Sequence, residues 1–112
     1  MQNYKFDITK IHNTLKVADV QVGFGIPSHN MDIVDELDEF LKENRNKLDG
    51  LFICITGPMS VHVAMVIAHN LAHNTRGIAV YDPKVSGYVV VITHDPMWQI
   101  GNVFPVDDDH QL

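Results

Sequence analysis

Apolar and polar positions alternate in some stretches of the chain, recur at helical spacing in others, and run together in a few. "YKFDI" (4–8) alternates and predicts a short strand. "TLKVADVQV" (14–22) predicts a second strand; its apolar set changes parity between Val17 and Ala18, which predicts a bulge there. "GFGIPSHN" (23–30) is punctuated by two glycines and a proline and predicts a loop. Asn30 is then the expected N-cap of a helix on which Met31, Val34, Leu37, Phe40 and Leu41 recur at three- and four-residue spacing. Asp32, Asp35 and Glu36 fall in its first turns and Lys42, Arg45 and Lys47 in its last, an order that complements the helix dipole. Such a surface reads as a solvated face rather than a binding site.

Gly50 ends that connection, and "LFICIT" (51–56) is apolar on both parities, the pattern of a central strand buried on both faces. "GP" (57–58) turns the chain, with Pro58 suited to the first turn of a second helix running to about His73. "GIAVY" (77–81) is another continuous apolar strand, so residues 51–81 predict a parallel, right-handed crossover. "DPKVSG" reads as a turn, "YVVVITH" (88–94) as a returning strand, and the remainder as irregular with one short strand near Asn102–Val106. Neither repeats nor a linker interrupt the pattern, so residues 1–112 are expected to form a single domain.

Composition narrows the chemistry. Charged residues make up 20% of the chain and the formal net charge is −6, which argues against duplex DNA and other extended nucleic-acid backbone as partners. A small anionic ligand is compatible, held by backbone N–H groups and a few cations such as Arg76 and Lys84. No apolar run is long enough to span a bilayer, and "MQNYKFDITK" lacks the apolar core of a secretory signal, so a cytoplasmic protein without membrane partners is expected. The single cysteine, Cys54, lies inside "LFICIT" and is expected to be a small buried hydrophobe. The tail "DDDHQL" resembles a chelator only on paper, and reads as a frayed acidic terminus.

Histidines are the chemistry the composition leaves standing. With His62 as zero and about 100° per residue, His69 falls near −20° and His73 near +20° on the second helix. Ala64, Ile67 and Leu71 fall opposite and are the expected sheet-facing side, so the histidines point outward. His69 and His73 could share a metal ion, but the helix offers no third ligand, which argues against a structural zinc site. A lone outward histidine usually has no role, and the sequence assigns none to His62. His73 and Asp82 are expected at opposite ends of strand 77–81, about 17 Å apart at roughly 3.3 Å per residue. Asp82 should instead share an edge with Gly57 and Pro58, where strand C-termini meet a helix N-terminus and anions find free N–H groups. Pro58 removes one such donor.

The order of elements, a Gly-Pro start, a helix with "AHNLAH", a strand ending "AVYDPK", a glycine and then "VVVITH", resembles a family of small CRISPR-associated proteins of type III systems. Its members are ring nucleases that degrade cyclic tetra-adenylate, also described as manganese-dependent RNA 3′-end deadenylases. The resemblance is close over residues 51–94 and one of layout in the N-terminal half. It implies a compact ferredoxin-like α+β sandwich, with a mixed sheet and two helices on one face. It also implies homodimers that stack head to tail on a cyclic oligoadenylate and complete the active site between them. A two-fold dimer suits a ring with two-fold symmetry.

Position by position, His73, Asp82 and Lys84 are the implied catalytic residues and Lys84 and His94 implied ligand contacts, while Gly57 and Pro58 are the ligand contacts expected from the strand–helix edge. His69, His73 and Asp82 are the implied ligands of a manganese ion. The chain departs from the family in four places. Lys84 stands where arginine is usual, which keeps the charge and loses the planar fork. Met59 and Ser60 stand where a tryptophan is usual. Single-residue insertions fall near Asn70 and at Ser86. The expected function is cleavage of cyclic tetra-adenylate. The alternatives are a non-catalytic cyclic-nucleotide-binding module and a manganese-dependent RNA 3′-end exonuclease.

Overall fold

The computed structural model describes residues 3–105. The tail "DDDHQL" lies outside them. The elements follow in the order β1 (Tyr4–His12), β2 (Val17–Phe24), α1 (Asn30–Asn44), β3 (Phe52–Thr56), α2 (Val61–Leu71), β4 (Gly77–Asp82), β5 (Gly87–Thr93) and β6 (Val103–Pro105). The six strands form one sheet in sequential order, β1 to β6. β2, β3 and β4 are parallel, and the outer pairs β1–β2, β4–β5 and β5–β6 are antiparallel. Both helices pack on one face, so the α+β class, the mixed sheet and the two-helix layer are as expected. The layers are those of a ferredoxin-like sandwich, while the two parallel crossovers follow one another directly, without the split of a βαββαβ order.

The helix face of the sheet carries Phe6, Ala18, Val20, Ile53 and Ile55, packed against Ile33, Leu37 and Leu41 of α1 and Val63, Ile67 and Leu71 of α2. The opposite face carries Val17, Phe52, Cys54, Ala79, Tyr88, Val90 and Phe104. Residues 95–102 fold back so that Trp98 stacks on Phe104 at 3.8 Å between ring centroids. Cys54 is fully buried, as expected, and burial pushes its thiol pKa well up, which removes the thiolate a redox role would need. Burial likewise pushes the hydroxyls of Tyr4 and Tyr88 up to about 12.

Several boundaries differ from the sequence expectation, each for a local reason. Val17 and Ala18 need no bulge, because β2 is an interior strand that buries one of them on each face. The register shift lies instead in β1, between Ile8 and Lys10, and it carries that strand on to His12. α1 is capped by His29, not Asn30, and buries Ile33 while leaving Met31 71% exposed. α2 begins at Val61 behind an N-cap Ser60, whose hydroxyl accepts from the Val63 N–H at 3.1 Å. Pro58 therefore lies outside the helix and removes none of its N–H donors. The helix ends at Leu71, so His73 sits in the following turn. Val63 takes the sheet-facing place expected of Ala64, which is exposed. The short last strand falls where it was expected.

The two helices are tied by a buried amide. Asn70, 4% exposed, donates from Nδ2 to Asp38 Oδ1 at 2.9 Å and to the Val66 carbonyl at 3.0 Å. Hydrogen bonds from Lys42 and then Asn70 hold the Asp38 carboxyl below its ordinary value of 3.8, and His69 adds a smaller attraction. A carboxyl lowered in the folded state adds stability above its unfolded pKa and loses it as pH falls through the lowered folded one. Asn70→Ala is expected to cost about 1 kcal/mol near neutral pH in urea unfolding. That cost should shrink in acid, below the ordinary carboxylate range. A cost that stays the same across that range would refute the Asp38 link.

Candidate functional site

Parallel strands place all their C-termini at one edge of a sheet, and the chain must cross back through helices to do so. Here that gives two rims. At the first, β2, β3 and β4 end, and α1 and α2 begin. Ser60 Oγ donates to Asn30 Oδ1 at 3.2 Å, linking the two helix starts. The Tyr4 hydroxyl donates to the Pro58 carbonyl at 2.6 Å. Gly57 has a φ of +129°, and a Cβ on it would lie 1.9 Å from the Val22 carbonyl oxygen. That position accepts only glycine.

Asp82 and Lys84 lie at this same rim, in the hairpin joining β4 to β5. The Asp82 carboxylate accepts from the Lys84 backbone N–H at 2.9 Å, and the Val85 N–H donates to the Asp82 carbonyl at 3.2 Å. Ser86 takes a φ of 50°, so the segment is the turn its sequence suggested. The Lys84 side chain is exposed, and the free oxygen of Asp82 is the one available to a ligand.

The second rim gathers the turn after α2, the starts of β3 and β4, and the end of β5. His94 joins them. Its backbone N–H donates to the Arg76 carbonyl at 2.8 Å, and its ring Nε2 lies 2.6 Å from the Ala72 carbonyl. A carbonyl only accepts, so Nε2 carries the proton and Nδ1 is left as the basic nitrogen. His73, next to Ala72, is exposed. Asn74 binds the rim across to α1, donating to the Arg45 carbonyl at 3.0 Å and to Asp49 Oδ1 at 2.8 Å. Arg76 pairs with Asp95, whose side chain is only 5% exposed.

The chain therefore brings Gly57, Pro58, Asp82 and Lys84 together at one rim, and His73 and His94 at the other. The length of β4 separates them, by about 17 Å. His69 is with neither group. It is exposed on α2, near Asp38 of α1. His69, His73 and Asp82 accordingly do not converge within one chain, and among the described residues no three His, Cys, Asp or Glu side chains are placed to hold a metal ion. The residues do not fit manganese within a single subunit.

Two features escaped the sequence. Ser60, not Pro58, shapes the start of α2; "SVHVAM" carries that cap in plain view, and the Gly-Pro pair drew attention from it. The buried partner of Arg76 is Asp95, in a stretch that has no periodicity to read. The exposed side of α2 also differs from a purely polar stripe. Met65 lies between His62 and His69 and is 67% exposed. Beside it runs an apolar groove of about 310 Å³, lined by residues including Met59, Met65, Ile78, Val80, Val91 and Ile92. Among the described residues no helix is long and apolar enough to cross a membrane.

Comparison with known proteins places these rims in a family. Residues 35–105 match the family model described as CRISPR-associated protein (Cas_csx3), a stretch that holds every residue of both rims discussed above except those of β1, β2 and the start of α1. An uncharacterized protein of Aquifex aeolicus (strain VF5) is 36% identical over 59 residues, 53% of this chain and 52% of the relative, so the chain spans about half that relative's length. The family match covers more than half of the chain, and the protein belongs to the CRISPR-associated Cas_csx3 family.

Proposed function

We propose that the protein is a ring nuclease that binds and cleaves cyclic tetra-adenylate in a site completed between stacked subunits, in the cytoplasm. The observation that carries this reading is the division of the matching residues between opposite rims. His73 and His94 stand exposed at one, half-buried Asp82 and exposed Lys84 at the other. A single subunit offers half a site at each end. Two subunits stacked head to tail would bring the halves together around a flat ligand. The apolar groove beside α2 supports the further association of such chains as homodimers, since apolar surface of this kind is stabilised by a partner.

The reaction would start with the ribose 2′-OH attacking the adjacent phosphorus. The P–O5′ bond breaks, and the leaving oxygen takes a proton from water, leaving a 2′,3′-cyclic phosphate and a free 5′-OH. The His73 imidazole takes up the 2′-OH proton, the general-base task that histidine performs most often. Lys84 of the neighbouring subunit meets the charge building on the phosphoryl oxygens. The free oxygen of Asp82 orients the 2′-OH.

One observation favours a second reading, a binding module that holds the ring without cutting it. Asp82 spends one carboxylate oxygen on its own turn, and Lys84 lacks the bidentate fork of arginine. The formal charge of −6 makes long RNA the poorest of the candidate substrates. The test is incubation with cyclic tri-, tetra- and hexa-adenylate, with and without Mn²⁺, read by chromatography. Linear fragments from the tetramer are expected. Intact tetramer recovered after prolonged incubation with excess protein would replace the nuclease with the binding module. Activity that appears only with Mn²⁺ and extends to RNA tails would favour the exonuclease.

A further inference from the structure

We infer that Arg76 binds a ligand phosphate at the His73 rim and that Asp95 is the residue positioning it. The ring-nucleotide reading supplies the identity of the ligand; the phosphate chemistry rests on the rim itself. Arg76 occupies the turn between His73 and the first residue of β4. Its backbone is fixed at both ends, with its N–H donating to the Leu51 carbonyl at 2.9 Å and its carbonyl accepting from the His94 N–H at 2.8 Å. Its guanidinium donates from Nη2 to Asp95 Oδ2.

Asp95 is itself held in place. Its Oδ1 accepts from the Met97 N–H at 2.9 Å, and its own N–H donates to Thr93 Oγ1 at 3.1 Å. A carboxylate buried to this degree is costly without a cation, so the pair has a structural role. That role uses only part of the guanidinium. Arginine has five N–H donors, a carboxylate engages two at most, and the Arg76 side chain is still 38% exposed. The remaining donors belong to a side chain still partly open to solvent, on the rim that carries His73 and His94.

Lysine would neutralise Asp95 equally well. What arginine adds is a fixed plane with donors left over, the geometry that grips two phosphate oxygens. The opposite rim lacks such a group, because its cation is Lys84. A phosphodiester held between stacked subunits would thus meet the point charge of Lys84 from one side and the fork of Arg76 from the other. An acidic chain, with formal charge −6, has no general attraction for phosphate, so a cation held in place at the rim carries more of the recognition.

The test compares the wild type with Arg76→Lys and with the double variant Arg76→Gln/Asp95→Asn. The first keeps the charge pair; the second removes both charges together and leaves neither buried alone. Both are expected to fold, to weaken cyclic tetra-adenylate binding about tenfold or more, and to raise KM far more than they lower kcat. A purely structural pair predicts the reverse: a lower thermal midpoint and unchanged affinity in whatever folds. Folded variants that bind the ring as tightly as the wild type overturn the inference.

A second readout separates this outcome from failure of the ring-nuclease reading. The Arg76 Nε–Hε resonance of ¹⁵N-labelled protein is followed during titration with the linear dinucleotide ApA, which carries one phosphodiester. A shift of that signal in a protein that binds no ring would keep the Arg76 assignment and remove the nuclease. No shift with ApA and no ring binding would remove both.

Discussion

His73→Ala is expected to abolish measurable cleavage of cyclic tetra-adenylate, with a loss of about 10²–10⁴-fold, while ring binding persists. The size of the effect follows from the role. A positioned imidazole takes the proton as the 2′-OH attacks, and no neighbouring group at that rim replaces it in place. His94 is tied through its ring to the Ala72 carbonyl and through its backbone to the Arg76 carbonyl, so its Nδ1 is held away from the place that His73 occupies. Stability should barely move, within about 0.5 kcal/mol, because His73 is exposed and lies past the end of α2. The check is a pair of measurements on one preparation: product formation by chromatography and ring affinity by calorimetry. Full activity in the variant would sink the assignment of His73. Loss of binding and activity together would make it a ligand contact rather than a base.

Gly57→Ala should have the largest effect on the fold itself. The added methyl carbon would fall 1.9 Å from the Val22 carbonyl oxygen, and the φ of +129° is one that a residue with a Cβ rarely adopts. Strain and overpacking at one site each cost about 1–3 kcal/mol, and the two act together here. A total of about 3 kcal/mol or more is a large share of the roughly 5–15 kcal/mol that holds a domain together. Loss of soluble protein, or a urea midpoint moved far down, is the expected result. A variant within 1 kcal/mol of the wild type would mean that β2 and the β3–α2 turn shift apart easily. The first rim is then softer than its close packing suggests. Gly57 is therefore needed to build the rim whether or not a ligand touches it.

Much of this architecture was legible in the chain. Continuous apolar runs at 51–56 and 77–81 announce strands buried on two faces, and the helix between them fixes a parallel crossover. From that alone follows the separation of His73 from Asp82, the feature on which the functional reading turns. Periodicity failed where tertiary packing overrides it. Val17 and Ala18 look like a parity break only if one face is assumed wet. Ala72 and His73 continue the helical pattern, yet the helix stops at Leu71, and the turn hands its Ala72 carbonyl to His94. Met31 fits the apolar stripe of α1 but falls at its exposed start. The implied metal set does not come together within one subunit. Helical spacing brings His69 and His73 near one another in projection, while the strand that follows already puts Asp82 at the other end.

The sequential order of the strands bears on how the molecule comes together. Every strand is hydrogen-bonded to its neighbours in the chain, so no strand has to be inserted between two that already pair. The sheet can lengthen in the direction of synthesis, each new strand adding to the edge left by the one before. The widest closure is the connection through α1 from Phe24 to Phe52, and loop-closure entropy grows only slowly with such lengths. Growth stops at charged and short margins: β1 presents exposed Lys5, Asp7 and Lys10, and β6 has 3 residues. Edges of that kind resist pairing with the sheets of other molecules. They leave the ends of the strands and the groove beside α2, rather than the edges of the sheet, as surfaces open to another subunit.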